Sequence, residues 1–426
     1  MKQLLNYFLS VLSFSAFASC THEVILPDTD MIDNSITIDE ALANLNYFNR
    51  CLETSQPEFV RSIELVSKEV SDIQSVYPHS VIDMTRSAAM SVNDTQPLVY
   101  VVNYKNDEGF VILSADKRLS GEVIAVTEKG NMDNNLMILC KSDINNSQSE
   151  FPVFLKEFLS NYIESCLYSA KFDIDRNAHS NIDTKSGSLV QVLPFFTNWW
   201  GQWSPFNNYC PVDNGIKCPA GCVAVATSMA VTYLKRNFTS TLLYGRSIDY
   251  SSLQNAYRVP MGQTTPDYVD SSTRDVIAWV VHSIGQSVHT SYHDDASSAE
   301  LTDVANYLDS LGYDASRKLN FKVSYATSML PAGKPIIMSG YSNALFANGH
   351  AWIVDGINQY FAHPADDEIR TMLHCNWGWD GIGNGYFYDD AFCPLDHGSV
   401  SYFDGRFVTE DDGVHNHNYY HRTVVY

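Results

Sequence analysis

Apolar positions recur at helical spacing from Asp39 to about Val76, through Ala41, Leu45, Phe48, Phe59, Ile63, Leu65, Val66 and Val70. The pattern changes over Leu98 to Arg118, where two β-rich runs flank Asn106-Asp107-Glu108-Gly109, the composition of a hairpin. "GEVIAVTEKGN" from Gly121 predicts a third strand, and "FPVFLKEFLSNYIESCLYSA" (Phe151 to Ala170) a closing amphipathic helix. Residues 171–190 carry Asn, Asp, Ser and Lys without periodicity, which marks an exposed linker open to proteolytic nicking.

Beyond the linker the chain is aromatic-rich and punctuated by glycine. Val223, Ala224, Ala226, Met229, Ala230, Tyr233 and Leu234 repeat on helical spacing behind the turn-forming Pro219-Ala220-Gly221. Lys235 and Arg236 place positive charge where that helix should end. "NGHAWIVDGI" (Asn348 to Ile357) and "LHCNWGWDGIGNGYF" (Leu373 to Phe387) read as strands, with Gly381, Gly383 and Gly385 in a tight turn. Asp294 and Asp295 read as a turn and helix start. The chain is therefore α+β in class. At 426 residues it is long enough for two or three domains.

The first residues change the picture of location. Lys2 precedes a mostly apolar run from Leu4 to Phe17, then Ala18-Ser19-Cys20, the pattern of an export signal. "FASC" resembles a bacterial lipobox, which implies a lipid on Cys20 and a cell-envelope lipoprotein, at the outer membrane or cell surface. No later run is long and apolar enough to cross a bilayer. Charge narrows the partners. A net −22 with no Lys/Arg cluster excludes nucleic acid as the main partner. Export permits disulfides, and among nine cysteines Cys210 and Cys218 suit a local bridge. Cys210, Cys218 and Cys222 lack the second pair that a zinc site requires, and His415, His417 and His421 read as solvated positions.

Cys222 opens its helix, where the dipole favours a thiolate. His350 stands at the head of an apolar strand and can serve as its base. Cys222 precedes His350 by 128 residues and Asn376 by 154. The order Cys, His, Asn at a spacing of about 130–150 residues is that of papain-type thiol peptidases. Four blocks resemble the streptopain-like cysteine peptidases, secreted bacterial enzymes of papain-like fold: "NWWGQWSPFNNYCP", "GCVAVATSMAVTYL", "GKPIIMSGYSNALFANGHAWIVDGI" and "HCNWGWDGIGNGYF". "EGFVILSADKR" resembles the family's inhibitory propeptide. The resemblance implies a two-lobed catalytic domain, a helical lobe plus an antiparallel β lobe, behind a small α+β pro-domain. It also implies Cys222 as nucleophile, His350 as general acid/base and Gln202 as oxyanion donor beside the Cys222 backbone N–H. Asn376 and Trp377 would support the histidine, and which matters more stays open.

The expected organisation is a signal at 1–19, a lipidated tether at 20–38, a pro-domain at 39–170, a linker at 171–189 and a cysteine peptidase at 190–426. Lys185 in the linker is the preferred activation cut. Expected partners are protein or peptide substrates, the pro-domain as intramolecular inhibitor, and an activating protease; the membrane is met only through Cys20. No metal or organic cofactor is needed, since thiolate attack, an acyl-enzyme and water suffice. Two other readings use the same residues: a Cys-His hydrolase of cell-wall peptides, and a catalytically silent surface-binding lipoprotein.

Overall fold

A computed structural model describes residues 33–55, 68–78, 95–132, 189–196, 198–254, 256, 269–318, 321–341, 349–363, 367–392, 401–403, 406–408 and 422–425, with helical positions at 155, 158, 159, 162, 163, 166, 167 and 170. The signal, Cys20, Lys185 and the three C-terminal histidines lie outside the described residues.

Helix α1 spans Ile38–Ser55. Thr37 and Glu40 start it with a reciprocal cap: the Glu40 carboxylate accepts the Thr37 N–H (2.8 Å), and the Thr37 hydroxyl accepts the Glu40 N–H (3.3 Å). The helical pattern expected as far as Val76 does not extend that far. Val70–Val76 is strand β1, paired antiparallel with β2 (Val99–Tyr104). Cross-strand pairing overrides local spacing here, and Val70 and Ile73 are left exposed on an edge strand. The predicted hairpin is present. β2 and β3 (Phe110–Ser114) flank a loop in which Asn106, Asp107 and Gly109 have positive φ. Only glycine fits at 109, because a Cβ there would stand 2.2 Å from the Thr127 carbonyl oxygen. The third predicted strand is β4, Val123–Thr127.

The remaining sheet strands are β5 (Gln191–Val192), β6 (Ser316–Lys318), β7 (Ile336–Tyr341), β8 (Gly349–Phe361), β9 (Ile369–Asn376), β10 (Gly385–Tyr388) and β11 (Arg422–Val425). One sheet of eleven strands runs β1-β2-β3-β4-β10-β9-β8-β7-β11-β6, with β5 added to β8. The sheet therefore crosses the boundary expected from composition. β4 pairs with β10 through Thr127/Gly385, Val126/Tyr386 and Ala125/Phe387.

Two cores lie on this sheet. One joins α1, β2–β4 and the helix bearing Leu155, Phe158, Leu159 and Tyr162 to Trp352, Val354, Tyr360, Tyr386 and Phe392. Ring contacts stitch it together, Phe48 to Tyr360 at 5.4 Å and Phe158 to Phe392 at 5.2 Å. The other core is helical: α2 (Cys222–Leu234), α3 (Ser271–Ser287) and α4 (Leu301–Ser310), closed by Ile337, Ala351 and Ile353 from the opposite face of the strands. Alternation along β8 separates the two cores.

Cys210 and Cys218 stand as buried thiols with no bond between them. The short hairpin they bracket is closed by its backbone, with Cys218 N–H donating to Pro211 (3.0 Å). Burial pushes the Cys210 thiol up to about 12.

Candidate active site

α2 is apolar all round, with Val223 through Tyr233 buried, so it can only sit in a protein interior. Its first residue is Cys222, partly exposed. Gly221 caps it at φ 88° without a side-chain acceptor, leaving first-turn amides to favour an anion at the thiol. A Cβ on Gly221 would meet the Ser297 carbonyl oxygen at 2.8 Å, so the chain enters the helix by a route only glycine allows.

Gln202 is tied to this lead-in. Its carbonyl accepts the Ala220 N–H at 2.8 Å, two residues before the cysteine. The side chain is 7% exposed, and its carboxamide has no partner among the described residues. A buried amide left open in this way is suited to a developing oxyanion. The segment carrying it is pinned at further points. Phe195 and Phe196 N–H groups bond Asp355, Asn198 carbonyl accepts from Asn376 Nδ2 (3.1 Å), and Trp200 carbonyl accepts from the Asp380 N–H (3.2 Å).

His350 lies on β8 opposite Gly340 and is 5% exposed. Its Nε2 is 2.8 Å from the Trp377 carbonyl oxygen and 2.7 Å from Trp379 Nε1. One nitrogen cannot satisfy both, since it must donate to the carbonyl and accept from the indole. Burial pushes the imidazole down to about 4, although the Trp377 carbonyl pulls the other way. The ring is therefore neutral at pH 7, and its tautomer sets whether Nε2 donates to the Trp377 carbonyl or accepts from Trp379.

The two support residues divide. Asn376 pairs with Ile353, and its side chain lies on that strand's other face from His350. Its carboxamide donates to Asn198 and accepts the Gly378 N–H (3.2 Å). Trp377 lies on the histidine's face, ring centroids 6.2 Å apart, and supplies the carbonyl. The neighbouring Cys375 is fully buried, and burial raises its thiol well above the ordinary range, which leaves it inert.

The turn after β9 is gripped from the N-terminal unit. Glu128 N–H donates to the Asn384 carbonyl (2.8 Å), and Gly383 N–H donates to Lys129 (3.0 Å). Asn384 Oδ1 in turn accepts the Trp377 N–H (2.9 Å), and Gly383 accepts the Trp377 indole N–H (3.0 Å). A chain of hydrogen bonds thus runs from β4 to His350. Charge reinforces it: Glu122 takes Arg370 in a two-pronged pair at 2.9 and 2.8 Å, and Lys129 lies 4.8 Å from the Trp199 ring.

Trp379, Asp355 and Glu128 drew no assignment from the sequence. The Trp377-Gly378-Trp379 cluster was a usable signal for the first. The other two have none, because they reach the site across strands.

A buried helix headed by Cys222, an open Gln202 amide and a histidine gripped from the N-terminal strands are the parts of a cysteine peptidase carried with its own inhibitor. Comparison with known proteins agrees. Residues 200–387 match the Peptidase C10 family and residues 52–142 the Spi protease inhibitor. Residues 200–387 thus form a C10-type cysteine peptidase region behind an inhibitor region, the make-up of a cysteine protease produced as a zymogen. It is similar to streptopain of Streptococcus pyogenes serotype M28, 25% identical over 331 residues, covering 70% of this chain and 75% of that one. It is also similar to thiol protease/hemagglutinin PrtT of Porphyromonas gingivalis, 23% identical, covering 75% of this chain and 37% of that one. Among solved structures, a fragment of Prevotella intermedia prointerpain A aligns at TM-score 0.49 and 19% identity, over 83% of this chain and 98% of the fragment.

Proposed function

We propose that this chain is an exported, lipid-tethered endopeptidase in which Cys222 is the nucleophile, His350 the acid/base and Gln202 the oxyanion donor. The Cys222 thiolate attacks the peptide carbonyl carbon, and the oxyanion is met by the Gln202 carboxamide and the Cys222 backbone N–H. His350 gives its proton to the leaving amine, which breaks the C–N bond and leaves a thioester. It then takes a proton from water, whose oxygen attacks the thioester and restores the thiol. Trp377 orients the imidazole through its carbonyl, and Asn376 holds the Asn198 segment in place.

The observation that carries this reading is the open Gln202 amide, bonded by its own backbone to Ala220 two residues before Cys222. In the precursor His350 is held neutral by burial, so release of residues 39–170 comes before assembly of the thiolate–imidazolium pair. Cleavage at Lys185, or elsewhere in 171–189, achieves that release, and Cys20 anchors the chain.

The test uses the Cys222→Ala precursor beside the wild type, each treated with a trypsin-like protease. Wild type should gain casein-cleaving activity, while Cys222→Ala should be cut in the linker and remain inactive. More than trace activity in Cys222→Ala, or full activity in uncut wild type, would overturn the assignment. Hydrolysis of peptidoglycan peptides with none of casein would move it to the cell-wall reading.

A further inference from the structure

β8 and β9 fall out of step between Val354 and Gly356: Val354 faces Cys375 and Gly356 faces His374, so Asp355 is an extra residue in a bulge. The bulge turns a carboxylate into the interior, where Asp355 is completely buried. It is fully engaged there. Oδ1 accepts from His374 Nδ1 at 2.6 Å, Oδ2 accepts the Phe196 N–H at 2.8 Å, and the Asp355 carbonyl accepts the Phe195 N–H at 3.1 Å. Gly356 lets that segment approach, since a Cβ there would stand 3.1 Å from Pro194 N. His374 is 2% exposed, and its Nε2 donates to Glu128 Oε1 at 3.0 Å. Burial alone would push His374 down, but Asp355 and then Glu128 outweigh it and raise it to about 10.

Burying such a group of charges is costly, and apolar side chains of the same volume would hold the sheet as well or better. What the charges add is direction. Two backbone N–H groups are fixed to one residue of the strand that carries His350, on the segment that leads to Gln202.

We propose that Asp355 and His374 are positioning residues for peptide-bond hydrolysis, fixing the Phe195–Phe196 backbone, and through it the oxyanion donor Gln202, relative to His350. The proposal rests on the peptidase reading above. It assigns the pair a duty in the mature enzyme that outlasts the departure of Glu128 with the pro-domain.

The experiment uses the full-length chain carrying Asp355→Asn, His374→Gln or both, activated by limited proteolysis beside wild type. Each is read for kcat, KM and the rate at which iodoacetamide alkylates Cys222. The double variant removes both buried charges, so it reports even if Asp355→Asn alone fails to fold. The expected result is kcat down about tenfold with KM within about twofold, since a misplaced oxyanion donor forfeits part of the 10²–10³ that one donor supplies. Alkylation should keep its rate and pH profile, because the thiolate and its imidazole are not displaced. A folded variant with kcat within twofold of wild type overturns the proposal. So does a loss of alkylation equal to the loss of kcat, which would make the pair merely structural. Absence of peptidase activity in activated wild type would instead remove the peptidase reading itself.

Discussion

Acidifying the precursor should weaken the arrangement that buries His350, by an amount its environment sets. The ring is pushed down to about 4 from an ordinary 6.5, so the closed state binds its proton more weakly than any state in which the ring is solvated. Stability from a depressed histidine is present above 6.5 and is lost as pH falls through 4. Between pH 8 and pH 5 that is about 2 kcal/mol, or roughly thirtyfold in the equilibrium. His374 works in the opposite sense. Its raised value gives stability that is complete below 6.5 and is lost as pH rises toward 10, again about 2 kcal/mol over the same window. The two nearly cancel, so their summed contribution is almost flat from pH 5 to 8. A subtraction isolates the first. Urea unfolding is measured at pH 5 and 8 for Cys222→Ala, which cannot process itself, and for Cys222→Ala/His350→Gln. The pH 8 minus pH 5 difference should be about 2 kcal/mol larger in the background that keeps His350. Equal differences in the two backgrounds would refute the idea that burial holds the imidazole neutral.

Gln202→Ala should lower kcat of the activated enzyme by about 10²–10³ with KM little changed, in a steady-state assay on a peptide substrate. A normal kcat would make position 202 structural. Glu122→Gln leaves Arg370 with Glu368 alone. Because a third of the Glu122 side chain meets solvent, the loss should be about 1–2 kcal/mol, read as a rise of about tenfold in activity of the uncut precursor. Gly221→Ala forces a side chain to φ 88° against the Ser297 carbonyl and should cost about 2 kcal/mol, seen as a lower urea midpoint; an unchanged midpoint would sink that argument.

Much of the site was legible because its signals are local. Cys222 stands out by the glycine before it and the apolar helix behind it, and the structure puts the helix start at Cys222. The hairpin around Asn106–Gly109 and the turn at Gly381–Gly385 were readable for the same reason: positive φ leaves a residue signature in the chain. Val70 shows the limit. A run with mixed spacing became β1 because β2 was available to pair with it, and nothing within a few residues of Val70 records that partner.

The rest was decided by register and by long-range packing. Asn376 and Trp377 are adjacent, and a strand sends neighbours to opposite faces, so which of them meets His350 depends on pairing Ile353 with Asn376 rather than with either neighbour. The bulge at Asp355 then shifts every residue beyond it by one, which turns its carboxylate toward His374 and the Phe196 amide. Composition divided the chain at the polar linker, yet β4 and β10 join the two parts into one sheet with a shared core. Turns, caps and helix starts are fixed by steric and hydrogen-bonding preferences a few residues long, and those the amino-acid sequence determined by itself. Pairing partners, pleat parity and the burial that sets His350 and His374 at opposite ends of the histidine range depend on groups 19 to 246 positions away, and only the tertiary structure decided them.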